Sequence, residues 1–208
     1  MNLTFAITSD YSDIPRLDLI TRSIYNLQIP NFEVLIIGPG REGQSGRVRC
    51  IAFDETPNPG WITKKKNILC QQAQYDTIVL MHDYYLFDPG WYQAYLAFGT
   101  DWDICSNPQL LITGQRHFTD WVMWDHPTIP RYTPLDYDEW GLTRHMYISG
   151  GYYLLKKAIA LQYPMNESMG WGSAEDVEWS LRVRDTCKIV CNKQAIVRHG
   201  KIHRDVPV

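Results

Sequence analysis

No long hydrophobic run occurs in this chain: the first apolar stretch, residues 3–7, and every later one fall well short of the ~20 residues a membrane helix needs. The first stretch is also too short for the apolar core of a secretory signal, so a cytoplasmic protein is expected. Charge of one sign is not in excess. Lys and Arg number 20 against 23 Asp and Glu, a net charge of -3, which excludes a general electrostatic attraction to nucleic acid or anionic membrane and requires any phosphate to be held locally. Cysteine is sparse, and Cys50, Cys70, Cys105, Cys187 and Cys191 are odd in number and widely scattered. That excludes a disulfide framework and fits a reducing compartment. Repeats and linkers are missing too, so residues 1–208 read as one domain, long enough to bury roughly 70% of its unfolded surface around one core.

Aromatic residues, in contrast, are abundant, with 8 Trp and 13 Tyr. Roughly two thirds of them are expected to serve packing, leaving others in polar loops where flat amphipathic rings suit sugar or base faces. The order of elements is α/β. Residues 3–7 are β-rich. A helix is expected from Pro15, with Leu17, Ile20, Ile24 and Leu27 three or four apart, and residues 32–37 form a continuous apolar strand. Residues 47–53 suit a third strand, residues 57–60 a turn, residues 62–74 a helix and residues 77–81 another strand. Such alternation predicts a mixed, mostly parallel sheet flanked by helices, with ligands beyond the carboxyl ends of the strands. Residues 8–10 and 82–85 should therefore share one rim. Residues 107–144 show no period and read as irregular. A strand-like segment at 147–155 broken by two glycines, a short helix, a Gly170-Trp171-Gly172 loop, a helix over 174–185 and strands at 188–191 and 195–198 follow.

Three segments carry candidate chemistry. Asp83, directly after the strand, stands where a sheet of this kind holds a hard cation against a diphosphate. Glu175 and Asp176 open a helix behind the Gly-Trp-Gly loop, and Ser173 and Asp176 match a capping box. The run from Arg198 to Asp205 places His199 and His203 four residues apart beside basic residues, a source of metal ligands and phosphate contacts.

Taken in order, Asp83, then Tyr147-Ile148-Ser149-Gly150-Gly151, then Trp171-Gly172 with Glu175-Asp176, then Arg198-His199, these segments resemble GT-A type glycosyltransferases. The likeness is to family 2 and to the catalytic region of the β-1,4-galactosyltransferases. The helix around Lys64-Lys65-Lys66-Asn67 resembles the basic-Asn helix that precedes the metal motif in those enzymes. Only residues 107–144 lie outside the resemblance. Two positions depart from the pattern: Tyr85 stands where a DxD motif has its second carboxylate, and Ser173-Ala174 precedes Glu175 where the family has closer glycine spacing.

The resemblance implies an inverting, Mn²⁺-dependent (or Mg²⁺-dependent) hexosyltransferase that moves a sugar from a nucleotide-sugar donor, by family a UDP-sugar, to an acceptor hydroxyl on a carbohydrate or other molecule. Asp83, His199 and His203 become the metal ligands, Asp176 the base that takes the acceptor proton, and Glu175 a hydrogen-bond partner of a sugar. Lys66 and Asn67 join the donor site, although a lysine run on a helix is usually a solvated face. Thr8 and Asp10 are candidates for the base or ribose, with Asp54 a weaker one, and Trp171 for a mobile lid. Two rivals belong to other classes. A sugar nucleotidyltransferase needs a glycine-rich basic loop after the first strand, and residues 8–13 contain neither glycine nor positive charge. A zinc-stabilised, non-catalytic carbohydrate-binding domain would use Cys187, Cys191, His199 and His203, whose central gap is shorter than the ~12 residues of common zinc fingers.

Overall fold

The computed structural model describes residues 1–200. The chain opens with β1 (Leu3–Thr8), α1 (Ile14–Asn26), β2 (Phe32–Gly38), β3 (Gly43–Ser45) and β4 (Val48–Ala52). It continues through α2 (Ile62–Gln72), β5 (Thr77–His82), β6 (Tyr85–Phe87), α3 (Trp91–Phe98), β7 (Ile104–Ser106) and β8 (Gln109–Leu111). A 3₁₀ turn at Trp140–His145 precedes β9 (Tyr152–Lys156), α4 (Lys157–Gln162), α5 (Glu175–Val183), β10 (Ile189–Cys191) and β11 (Val197–His199). The larger sheet has the order β10-β7-β9-β5-β1-β2-β4-β3, and a smaller one the order β6-β11-β8. Within the larger sheet β1 pairs in parallel with both β2 and β5, and β2 with β4, whereas β9 runs antiparallel to both β5 and β7.

The central strands β1, β2 and β5 are mostly apolar because both faces of the sheet are covered. Leu3, Phe5 and Ile7 point to one core, closed by Leu17, Ile20 and Ile24 of α1. Ala6, Leu35 and Ile37 point to the other, closed by Leu69 and Cys70 of α2 and by Trp179 and Val183 of α5. Helix α1 starts where the sequence places it: the Asp13 carboxylate accepts from the Arg16 amide at 3.0 Å, with Pro15 in the first turn. Trp91, Trp121, Trp179, Tyr85, Tyr95, Tyr152 and Tyr153 are among the largest fully buried side chains, so much of the aromatic content is packing. No helix among the described residues is long and apolar enough to cross a membrane.

One expectation needs correction, and two others gain detail. The two glycines do break the segment 147–155: they form a turn, and β9 begins only at Tyr152. Ser173 does not cap α5. Ala174 holds the N-cap position with φ 58° and ψ 39°, a left-handed backbone that gives no side-chain cap. Residues 107–144 are irregular as expected, held by isolated bridges and side chains more than by repeating elements. Arg116 alone binds the Asp120 carboxylate at 2.7 Å and the carbonyls of Leu135 and Trp121 at 2.9 and 2.7 Å.

Candidate active site

A cleft of about 290 Å³ opens at the carboxyl ends of β1 and β5. Thr8, Asp10, His82, Asp83, Tyr84 and Trp171 are among its lining residues. Parallel pairing sets Thr8 beside His82, so the loops that leave these two strands must emerge together. Ser9 joins them: its hydroxyl donates to Asp83 Oδ2 at 2.6 Å and accepts from the Tyr11 amide at 2.9 Å. Ser9 was not singled out in the sequence, although it lies in the polar run after β1. The Thr8 hydroxyl is buried with no hydrogen-bond partner among the described residues, which leaves it available to a ligand. Trp171 is 73% exposed, and its loop is pinned by the Trp171 amide donating to the Gly60 carbonyl at 3.1 Å. Asp54 is exposed, accepts from the Thr56 amide, and does not line the cleft.

The lysine run is not a solvated face. Lys65 and Lys66 are 5% and 1% exposed, and only Lys64 stays outside, 4.1 Å over the Trp61 ring. Lys65 pairs with Glu55, and both line the cleft. Lys66 donates to the Gly150 carbonyl at 2.7 Å. Burial pulls its pKa down, and the charges of Glu175 and Asp176 push it back up. Asn67 turns away from the cleft: its amide donates to the Met165 carbonyl and Glu167 carboxylate and accepts from the Met165 amide. It latches residues 165–167.

The Gly150-Gly151 turn joins this lysine to the acidic helix. Asp176 Oδ2 accepts from the Gly150 amide at 3.0 Å, and Asp176 Oδ1 accepts from the Val177 amide at 2.9 Å. A Cβ on Gly150 would stand 2.9 Å from Asp176 Cβ, and one on Gly151 would stand 2.7 Å from the Tyr85 hydroxyl. Both positions therefore require glycine for close approach, not for backbone freedom. Glu175 is buried, and that burial raises its carboxyl pKa, opposed by its own backbone amide and by Lys66.

Tyr84 links the two halves. Its hydroxyl bonds His82 Nδ1 at 3.0 Å, and its ring packs on His199 with centroids 4.6 Å apart. Burial raises its pKa, reinforced by the charges of Asp83, Asp176 and Glu175, so the phenol stays protonated at neutral pH. A Cβ on Gly151 would stand 3.2 Å from the Tyr84 hydroxyl, and the neighbouring Gly150 amide is held by Asp176, so Asp83, Asp176 and His199, far apart in sequence, approach Tyr84 from three segments. His199 pairs opposite Tyr85, two residues beyond Asp83, and its buried imidazole stacks on His117 at 4.7 Å. His203 lies outside the described residues.

Among the described residues no three His, Cys, Asp or Glu side chains gather closely enough to hold a metal ion by themselves. The donor set instead fits a hard cation that arrives with a diphosphate, which needs only one or two protein ligands because phosphate oxygens and water complete its shell. Asp83, on the cleft wall, is of that type. Cys187, Cys191 and His199 make no zinc cluster: Cys191 is buried in one core and Cys187 packs against it, whereas His199 sits among the rings of Tyr84, Tyr85 and His117.

In a layered α/β sheet of this kind, ligands bind in the crevice beyond the carboxyl ends of the strands. More narrowly, the chain has the GT-A fold. Over 99% of its length it is similar to a structure of GalNAc-T7 with UDP, GalNAc and Mn²⁺, with a TM-score of 0.70 and 13% identity. It is also similar to S. aureus TarS in complex with UDP-GlcNAc, with a TM-score of 0.65 and 11% identity over 99% of the chain. The chain spans 45% of the length of the first structure and 60% of the second. No family model and no curated protein sequence matches it.

Proposed function

We propose that this protein is a glycosyltransferase that moves a sugar from a UDP-sugar to an acceptor hydroxyl with inversion at the anomeric carbon. The observation that carries the reading is the convergence of Asp83 and Asp176 on Tyr84 at the mouth of the β1–β5 crevice, in a fold whose solved neighbours bind UDP. Thr8, Ser9 and Asp10 would hold the nucleoside, with the orphaned Thr8 hydroxyl as one contact. Trp171 would cover the donor sugar with its exposed ring, which its pinned backbone presents at the cleft wall.

Asp83, with His199 on the adjacent strand, would hold a divalent cation, Mn²⁺ or Mg²⁺. When bound, such an ion neutralises the negative charge left on the diphosphate. On the other side of Tyr84, Asp176 takes the proton of the acceptor hydroxyl as its oxygen bonds to the anomeric carbon and the carbon–phosphate oxygen bond breaks. The products are a glycosylated acceptor, a nucleoside diphosphate and protonated Asp176. A base placed this way contributes roughly 10²–10⁴-fold in rate. Attack from the face opposite the leaving group inverts the configuration. The two amides on the Asp176 carboxylate, from Gly150 and Val177, fix its direction before the acceptor arrives. The Lys66 amine, bonded to the Gly150 carbonyl at 2.7 Å, holds the same turn from its other side.

A thermal-shift series with UDP, UDP-glucose, UDP-galactose and UDP-N-acetylglucosamine, each with and without Mn²⁺, tests this. A ligand at ~100 times its Kd should add about 2.7 kcal/mol, roughly a 5–10 °C rise for a domain of this size. The rise should vanish in Asp83→Ala and persist in Asp176→Asn. No shift with any of the four would sink the donor assignment.

A further inference from the structure

A second cavity, of about 460 Å³, opens at the opposite end of the sheet, where β2 and β4 begin. Phe32, Glu33, Arg47, Arg49, Gln72 and Gln74 are among its walls. None of its lining residues borders the cleft at the carboxyl ends of β1 and β5. A six-residue strand such as β1 spans about 20 Å, so the two openings lie at the two ends of one sheet.

Both arginines of this cavity are held from behind. Arg47 lies over the Phe32 ring, 4.5 Å from its centroid, and donates to the Ile29 carbonyl at 3.4 Å. Arg49 donates through Nη1 to Gln72 Oε1 at 3.1 Å and through Nη2 to the Gln72 carbonyl at 3.2 Å. These bonds use fewer than half of the N–H donors that two guanidinium groups carry. Among the described residues neither arginine has a carboxylate within ion-pair distance, whereas Arg16, Arg116, Arg182, Arg184 and Arg198 each do. Glu33, the only acid in the lining, is committed to the wall: its Oε1 accepts from the Thr4 hydroxyl at 2.7 Å and from the Gln74 amide. The Thr4 hydroxyl in turn accepts from the Tyr75 amide at 3.2 Å, which fixes the chain after α2 as one side of the cavity. The cavity therefore presents two oriented cations against one anion already bonded to neutral donors.

We infer that this cavity is a binding site for a phosphate group, free or carried on a sugar, gripped by Arg47 and Arg49. The forked guanidinium matches phosphate oxygens two at a time. Because packing already holds both groups, little side-chain freedom is lost when the ligand enters. The side-chain amides of Asn31, Gln44 and Gln74 surround the arginines and suit the hydroxyls of a sugar bearing the phosphate. Arg47 covers the Phe32 face, so a nucleobase has no place to stack on that ring. The inference goes beyond the transfer reaction and does not depend on it.

Amide NMR of the isotope-labelled full chain, titrated with inorganic phosphate or with glucose 6-phosphate at constant ionic strength, tests the site. Saturable shifts should appear at the amides of Gly46, Arg47 and Gln74, whereas phosphate entering the donor cleft would move those of Gly60 and Trp171. Arg47→Ala should weaken the titration roughly tenfold or more. Arg49→Lys, which keeps the charge but loses the fork, should weaken it by a smaller factor. Both variants should keep the wild-type spectrum away from the cavity; should one fail to fold, the other decides. Equal affinity for the two probes assigns recognition to the phosphate alone, and tighter glucose 6-phosphate assigns it to a phosphorylated sugar. No saturable shift with either probe, shifts confined to the cleft amides, or wild-type affinity in a folded variant would overturn the site.

Discussion

Gly150→Ala probes how tightly the candidate base is positioned. The added methyl would stand 2.9 Å from Asp176 Cβ, 3.1 Å from Lys66 Nζ and 3.4 Å from Asp176 Oδ2. Carbon–carbon contacts relax at about 3.5–4.0 Å, so Asp176 or the turn must retreat by about 0.6–1 Å. Lys66 can swing its terminal amine, but the Asp176 Cβ is fixed to helix α5 and cannot move without its backbone. Overpacking of this kind costs about 1–3 kcal/mol, a fall of about 2–12 °C in Tm for a chain of this size. Displacing the base by as much as 1 Å is expected to slow transfer by ~10²-fold. UDP affinity should stay within about threefold of wild type, because Gly150 does not line the donor cleft. The assay is transfer at saturating donor, run well below the variant's melting temperature, with UDP titration alongside. Gly141→Ala is the control, since its Cβ would meet nothing within 4 Å. Transfer by Gly150→Ala within about threefold of wild type would refute the claim that this turn positions Asp176.

Trp171→Ala should leave unfolding free energy within about 0.5 kcal/mol of wild type, because the ring is mostly exposed and its loop is held through the backbone; donor KM should rise, and a destabilised variant with normal KM would count against a covering role. Asn67→Ala should lower urea-unfolding stability by about 1–3 kcal/mol by leaving the Met165 amide and carbonyl unpaired, with donor KM unchanged in the folded enzyme; a KM change without a stability loss would return Asn67 to the donor site. Glu175 gives a pH test. Burial raises its folded pKa above the 4.5 of the unfolded chain, so the folded state keeps a proton that the unfolded state releases. Stability of the wild type relative to Glu175→Gln should therefore fall as pH rises from about 4.5 through the raised value and then level off. A difference that grows over that range would contradict the assignment.

The strands and α1 were legible because one physical signal sufficed for each: residues 3–7, 32–37 and 77–81 are apolar except for Thr4, Glu33 and Thr77, and Leu17, Ile20 and Ile24 keep helical spacing. The shared rim followed from parallel order alone. Burial of Lys65 and Lys66 was harder to read, although Ile62, Lys66 and Leu69 share one helical face and hinted at it. The partner charges that make it tolerable, Glu175 and Asp176, lie more than a hundred residues away. Ser173 matched a cap by pattern, but the preceding loop delivers the chain with Ala174 left-handed, and local spacing cannot report that geometry. Residues 107–144 stayed opaque because their order depends on single side chains such as Arg116 and on lone bridges, which leave no period to detect.

The reversed direction of β9 sets a ruler at the heart of the molecule. Because its first residue, Tyr152, pairs with Met81, and because the Gly151 carbonyl accepts from the His82 amide at 3.0 Å, the entry of β9 and the exit of β5 are neighbouring rungs of one ladder. The separation between the donor side and the base side is then a lattice spacing of about 4.8 Å, not a loop length. Sequence between β8 and β9 can be exchanged, lengthened or redecorated while that gauge holds, so under the proposed function a change of acceptor need not disturb how the sugar is passed on.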